Sequence, residues 1–510
     1  MIPLEWMPPL MFGGLIVFML IGFPVAFSLM AAGLFFAGIA ISENFFGMPF
    51  LQAIPQRIFG SVLANDLLLA IPFFTFMGAI LERCGLAEEM LDSMAQLFGR
   101  IRGGLGYSVI IVGFILGAIT GTVAAQVIAM AMISLPVMIR YGYNMRYATG
   151  VLAASGTITQ LVPPSLVLIV LADQLKTQSG SGDVGSMYLG AWGPSLLQIG
   201  LFALYTFFLS RFRPDYLPAV PENELTLKGW ALWKKCLMGI IPSAVLIFLV
   251  LGTIMTGIAT PTESGAMGAM GALLLAWIRR ASIPNLKGLI QEAYQNTMRI
   301  TAMVVFILIG STCFSVVFQG VDGGFWVEEL FSNLPGGWIG FLVVVNLFVF
   351  FLAFFLDFFE IAFIVVPMLA PVAVKLLAPV LLASMNGNPQ AAASAALVWF
   401  GVMLCVNMQT SFMHPPFGFA LFYLRGVAPK EVKSSDIYWG ALPWVGLQLI
   451  MVVVVAAFPA LVTTLLDKPA AIVQSEEFNF TEGNEAKPDV SSSKIDEDAP
   501  VVFQLDKPLK

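Results

Sequence analysis

Residues 155–170 read SGTITQLVPPSLVLIV, and apolar sequence continues on both sides. Pro163 and Pro164 have no backbone N–H, and their rings clash with the preceding turn, so a regular helix cannot run through them. Where such a break lies in hydrocarbon, the carbonyls it frees meet no water. It is tolerated only when buried in protein or lining a wet cavity. The chain does belong in hydrocarbon. It is 58% hydrophobic and 11% charged with mean hydropathy +0.88, whereas soluble domains carry roughly 25% charged residues. A span takes about 20 apolar residues, so a chain of this length supplies about ten. The expected class is an all-α polytopic membrane protein. By itself the segment also fits a simple proline kink.

Several functions are excluded early. The net charge of −6 argues against nucleic acid. Cys84, Cys236, Cys313 and Cys405 are scattered without a CxxC pair and read as apolar filler. One histidine, His414, cannot supply the His pairs of a membrane haem, and neither HExxH nor GxxxxGK[ST] occurs. The chain is therefore not expected to be an enzyme, to carry a cofactor or to hydrolyse ATP. The N-terminus lacks a basic n-region and a small-residue cleavage site, so its first apolar run reads as a mature span.

The order of parts repeats. Residues 1–210 contain two spans around Gly22 and Pro24, a span at 67–81, an interfacial stretch at 82–104, an over-long apolar block at 106–139 and the broken segment 148–172. A polar connection, 211–236, follows. Residues 237–466 repeat the series, with a Pro261 turn, an over-long block at 340–377 and a segment broken at Pro415-Pro416 within 395–424. Residues 467–510 are acidic and poor in aromatics, the composition of a disordered tail. Interrupted helices at corresponding places in two halves are the sequence pointer to a secondary transporter's binding site. Each over-long block reads as a re-entrant hairpin. Arg100, Arg102, Arg140 and Arg146 flank the first, and the basic connection follows it, so both its ends belong to the cytoplasm. The second begins after VDGGFWVEEL and enters from the opposite side, as an inverted repeat requires.

Candidate chemistry lies at the hairpin tips and the breaks. The first tip is Thr120-Gly121-Thr122, where glycine permits a tight turn and hydroxyls and free carbonyls offer oxygens to Na⁺. A small-residue packing motif is the alternative. The second tip centres on Asp357, an ionisable residue deep in apolar sequence, with Glu360 close by. The first break offers Ser155, Gly156, Thr157, Thr159, Gln160 and Ser165; the second offers Asn407, Gln409, Thr410, Ser411 and His414. Half-helix N-termini after Pro163-Pro164 and Pro415-Pro416 favour an anion, and unwound carbonyls favour Na⁺. His414 stays open between a satisfied core residue and a ligand. Arg425 reads as an anchor at a helix end.

GAITGTVAAQ, SGTITQLVPPS, GIATPTESGA, FFLDFFEIAFIVVPMLAP and MHPPFGFALFYLRGVAP, in this order, resemble the large membrane subunit (M, or DctM-type permease) of the tripartite ATP-independent periplasmic (TRAP) transporters. The resemblance covers residue 1 to about 465 and implies a bacterial inner-membrane protein with an elevator-like transport domain coupled to Na⁺. It also implies a small four-span Q-type subunit, here expected as a separate polypeptide, and a periplasmic binding protein that delivers the solute. It assigns Na⁺ to Thr120, Gly121, Thr122, Ser155, Gly156, Thr157, Asp357, Asn407, Gln409 and Thr410. Substrate falls to Thr159, Gln160, Pro163, Pro164, Ser165, Ser411, His414, Pro415 and Pro416. The family commonly has Ser-Gly-Ser in place of Thr120–Thr122, and Thr in place of His414. The His form, with NGNPQAAAS, is similar to the branch labelled mannitol/chloroaromatic or oxo-acid transport.

The expected function is Na⁺-coupled uptake of an organic anion, a carboxylate by preference. The alternative is a binding-protein-independent anion carrier or exporter on a related scaffold. Topology is open to test by cysteine labelling on a background lacking the four native cysteines. Both ends of 106–139 should react from the cytoplasm, and both ends of 340–377 from the periplasm. Ends of one block reacting from opposite faces would mean a plain spanning helix.

Overall fold

A computed structural model describes residues 3–467, apart from 178, 179, 181, 222, 223, 225–228, 282, 284, 416 and 417. Pro416 and the acidic tail beyond Asp467 therefore lie outside the described residues, as does part of the Gly/Ser loop after Lys176. The described chain is helical and contains no β-strand. Eight of its helices are long and apolar enough to cross a membrane, or nine if a pair bent by 50° (Met48–Leu63 and Asp66–Arg83) is one span.

The first series begins with α1 (Met7–Leu20) and α2 (Val25–Ser42), separated at Gly22 (φ +94°) and Pro24. A run of 3-10, α (α3, Ala53–Arg57) and π turns then leads into α4 (Ala70–Arg83). The amphipathic α5 (Leu86–Phe98) buries Leu86, Met90, Leu91 and Met94 and turns Glu88, Glu89 and Asp92 outward. The hairpin α6 (Gly104–Thr120) and α7 (Val123–Arg140) is followed by α8 (Met145–Thr157), α9 (Leu166–Gln174) and α10 (Val184–Phe212).

The second series begins inside the connection, because α11 (Trp230–Met255) starts before residue 237. At its turn Gly257 has φ +68°, and Pro261 opens α12 (Pro261–Ile278). Thr260 Oγ1 accepts the Glu263 N–H at 3.3 Å, and the Thr260 N–H donates to the Glu263 carboxylate at 2.8 Å, a reciprocal cap. Residues 286–297, though rich in polar side chains, belong to one continuous helix, α13 (Leu286–Gly320). After α14 (Gly323–Ser332) come α15 (Trp338–Leu352) and α16 (Phe358–Leu381), then α17 (Pro389–Met408) and α18 (Phe419–Val427). The closing helix α19 (Ser434–Ala457) and the single turn α20 (Ala460–Thr463) end the described chain.

The connection is strapped to both ends of the first hairpin. Gly103 N–H donates to Leu217 O at 3.1 Å, Val220 N–H to Gly99 O at 2.8 Å, and Asn144 N–H to Tyr216 O at 3.0 Å. Arg140 pairs with Glu224 at 2.8 Å. Residues 99–103 and 140–144 thus share one end of the molecule. Between the series, packing is reciprocal. Helix α2 packs on α13 as α12 packs on α4; α7 meets α18 as α16 meets α9; α8 lies on α19 and α17 on α10.

Small residues permit these crossings, since helices in lipid approach closely only where side chains are absent. A Cβ on Gly33 would lie 3.1 Å from the Phe314 backbone, and one on Gly310 would lie 2.6 Å from the Ala26 carbonyl. Gly310→Val should therefore force α13 off α2. The expected cost is that of overpacking, about 1–3 kcal/mol, read as a lower Tm in detergent. An unchanged Tm would mean that the crossing is looser than drawn.

Candidate functional site

At the first break, α8 ends at Thr157, tightens into a 3-10 turn (Ile158–Gln160) and leaves helical geometry before the prolines. The freed groups are met by side chains. Ser165 accepts the N–H groups of Val167 (3.1 Å) and Leu168 (3.4 Å) at the start of α9, and donates to the Gln160 carbonyl. Leu161 O accepts from Ser195 of α10 at 3.1 Å, and Gln160 O accepts from Cys405 of α17 at 3.2 Å. Ser165 is thus committed to capping α9, while both atoms of the Gln160 amide are buried without partners.

The second break copies this geometry. Helix α17 ends at Met408, a 3-10 turn covers Gln409–Phe412, and α18 begins at Phe419 with no side-chain cap on its N-terminus. Pro415 falls between, and Gly418 N–H donates to His414 O at 2.6 Å. The His414 ring is 2% exposed. It stacks on Phe354 with centroids 4.0 Å apart and meets the edge of Phe350 at 4.5 Å; neither ring nitrogen has a hydrogen-bond partner. Counted back from the first proline, Thr157 and Gln409 hold the same place, as do Ser155 and Asn407.

Each hairpin attaches to a break. The first turns at Gly121, whose φ of +63° a side chain would strain, and at Thr122, the N-cap of α7. The Thr120 side chain lies outside the described positions. One turn into α7, the fully buried Gln126 donates to Gly113 O at 2.6 Å and to Ser155 O at 3.0 Å, while Thr159 donates to its amide oxygen. A Cβ on Gly113 would lie 2.8 Å from the Ser155 Cβ, and one on Gly117 would lie 3.2 Å from the Thr159 Cα, so α6 rests directly on this segment. At the second tip, Asp357 caps α16. Its carboxylate accepts the Glu360 N–H and its own N–H donates to Glu360, both at 3.0 Å. Phe354 covers His414, and Phe358 lies 6.1 Å from Phe412, which puts this tip against the second break.

The two breaks touch. Thr157 Oγ1 is 3.8 Å from the Met413 sulfur, and Gln448 of α19 donates to Thr157 Oγ1 at 2.9 Å. Gln198 of α10 donates to Gln409 Oε1 at 2.8 Å. The hydroxyls of Thr157, Thr410 and Ser411 give their protons to Ala154, Asn407 and Met408 carbonyls, leaving lone pairs free. Asn407 donates to Asn346 of α15 and lines an apolar cavity of about 480 Å³ with it. Fourteen buried side-chain polar atoms among the described residues lack partners, and nine belong to Ser155, Gln160, Gln198, Asn407, Gln409, His414 and Gln448. Buried polar groups are rarely left unpaired without a reason, and this concentration makes the two breaks the candidate ligand site.

An all-helical membrane protein with paired broken helices around a buried polar centre is a transporter-type permease. The chain belongs to the DctM component family of the tripartite ATP-independent periplasmic transporters, whose model matches residues 12–461. It is a multi-pass inner-membrane permease component. It is 26% identical over 465 residues to the C4-dicarboxylate TRAP transporter large permease protein DctM of Rhodobacter capsulatus, covering 89% of this chain and 97% of that one. It is also 26% identical over 439 residues to the sialic acid TRAP transporter large permease protein SiaM of Vibrio cholerae, covering 86% and 93%. The solved YdaH transporter of Alcanivorax borkumensis shares the fold, with TM-score 0.53 at 16% identity over 81% of this chain and 89% of that one.

Three glutamines escaped the sequence reading: Gln126, Gln198 and Gln448, each fully buried. The signal was available, since each is a lone amide inside an apolar helix, where polar side chains serve as interhelical glue. Gln126→Leu should leave the Gly113 and Ser155 carbonyls short of a donor. The expected loss is about 1–3 kcal/mol, the cost of an unmet buried group, read by thermal unfolding. Adding Thr159→Val should cost little more, because its acceptor is already gone. Fully additive losses would mean that the two side chains act separately.

Proposed function

We propose that this chain is the large permease subunit of a Na⁺-coupled secondary transporter that imports an organic anion, a carboxylate by preference. A periplasmic binding protein delivers the solute, and a small four-span Q-type subunit completes the assembly. The convergence of nine unpartnered buried polar atoms on two touching breaks carries this reading. The tripartite family and the C4-dicarboxylate and sialic acid permeases among the relatives support the substrate class and the partners.

The roles divide by chemistry. Oxygens with spare lone pairs (Ser155, Thr157, Asn407, Gln409, Thr410), with Thr120–Thr122 and Asp357 at the tips, would hold Na⁺. The anion would sit toward the α18 N-terminus, which has no side-chain cap. There His414 can donate through a ring nitrogen, and Gln160 can donate through its amide.

In proteoliposomes containing all three components, uptake should require an inward Na⁺ gradient. Equal uptake driven by K⁺ or by protons alone would end the sodium assignment. Asp357→Ala would remove the α16 cap along with the charge, so Asp357→Asn is the sharper test, because asparagine caps as well as aspartate. Uptake should fall about tenfold or more, the equivalent of about 1.4 kcal/mol, with little change in Tm. Wild-type uptake by this variant would make Asp357 a structural cap only.

A further inference from the structure

The sites proposed above lie on the broken helices, but the donors that reach them come from elsewhere. Gln198 lies on α10, which closes the first series, yet its amide donates to Gln409 in the second break at 2.8 Å. Gln448 lies on α19, which closes the second series, yet its amide donates to Thr157 in the first break at 2.9 Å. Thr157 and Gln409 occupy the same position relative to their prolines, six residues before the first. The donors match too, because each glutamine follows by eight residues a glycine on its own helix, Gly190 or Gly440.

Those glycines seat the crossings. A Cβ on Gly190 would lie 2.9 Å from Val398 of α17, and one on Gly440 would run into the Arg146 carbonyl of α8. Both glutamines are fully buried and keep an unpartnered amide oxygen beside the break they serve. The same contact is thus built twice, in exchange, between the closing helix of one series and the broken helix of the other. A bond that served only to fix a helix to its own neighbour would not need to be crossed.

We propose that Gln198 and Gln448 are reciprocal positioning residues that couple the two breaks, so that the geometry of either half-site sets the ligand response of both. The inference rests on the sodium reading for its ligand and on the crossed hydrogen bonds for its mechanism. Ser195 of α10 also donates to Leu161 O in the first break, and Gln448 of α19 also reaches the Met413 sulfur in the second, so a shift in one break moves a closing helix that grips the other.

The test uses the full chain in lipid nanodiscs and follows hydrogen–deuterium exchange of peptides 145–175 and 389–427. NaCl is titrated against choline chloride at constant ionic strength. In the wild type, Na⁺ should slow exchange in both segments with a common midpoint. Gln198→Met removes a hydrogen bond to the second segment alone, whereas Gln448→Met removes the bond to Thr157 in the first and a 3.7 Å contact with the Met413 sulfur in the second, so Gln198 carries the test. Coupling predicts that Gln198→Met raises the Na⁺ midpoint in both segments together, by about fivefold or more, the lower end of ordinary coupling between sites. A change confined to the segment that lost its donor, or no change, overturns the proposal. If Gln198→Met fails to fold, Gln198→Leu removes the same donor and is read in the same way. If wild-type exchange ignores Na⁺, the sodium reading fails on its own. The crossing is then read in choline, where loss of Gln198 should speed exchange in both segments; faster exchange in the second alone refutes it.

Discussion

The backbone groups freed at the two breaks must find partners in a medium that offers none. A helix satisfies its own N–H and C=O groups, which is why it can cross hydrocarbon, and a Pro-Pro interruption cancels that advantage locally. Here the repair comes from side chains of other elements: Ser165 caps α9, Ser195 takes Leu161 O, Cys405 takes Gln160 O and Gln126 takes Ser155 O. Each repair draws a further helix against the break. The buried position of the breaks, the close glycine crossings and the attachment of the first hairpin all follow from this requirement.

The repair is incomplete where a ligand would be useful. Ser155, Asn407, the His414 ring and the amides of Gln160, Gln198, Gln409 and Gln448 retain unpartnered atoms, while comparable hydroxyls nearby are tied to carbonyls of their own helices. An unmet buried polar group costs about 1–3 kcal/mol, so nine such atoms in one place would be hard to sustain unless something binds them in the working cycle. The apolar walls add to this effect. Phe350 and Phe354 enclose His414, and a low-dielectric surround strengthens any contact the ring makes with an anion.

Much of this arrangement was legible in the sequence. Proline and glycine act through local sterics, so the turns at Gly22–Pro24 and Gly121 and the two breaks fall where the residues say they should. Asp357 stood out as a charge in apolar sequence, though its capping bond with Glu360 could only be seen in three dimensions. Other features were hidden. Residues 48–69 mix 3-10, α and π turns and have no single period to detect. Polar residues at 286–297 masked the first turns of α13, because one face of a helix that leaves the bilayer need not be apolar. The three glutamines carried no local signal of partnership, since their acceptors lie 13 to 291 positions away in the chain.

The energetic scale of the crossed glutamine contacts suits a carrier that must change state. A single intramolecular hydrogen bond contributes roughly 0.5–1.5 kcal/mol net, so two of them bias the joint geometry of the breaks by about 2 kcal/mol. That corresponds to about a thirtyfold preference for arrangements in which both 3-10 turns are held. A much stronger link would trap the assembly in one state, and a much weaker one would let one break relax while the other stayed occupied. On the proposed sodium coupling, the second failure would let the ion move without its solute. The proposed exchange of donors would guard against it, because Thr157 takes its glutamine donor from α19 and Gln409 takes its own from α10.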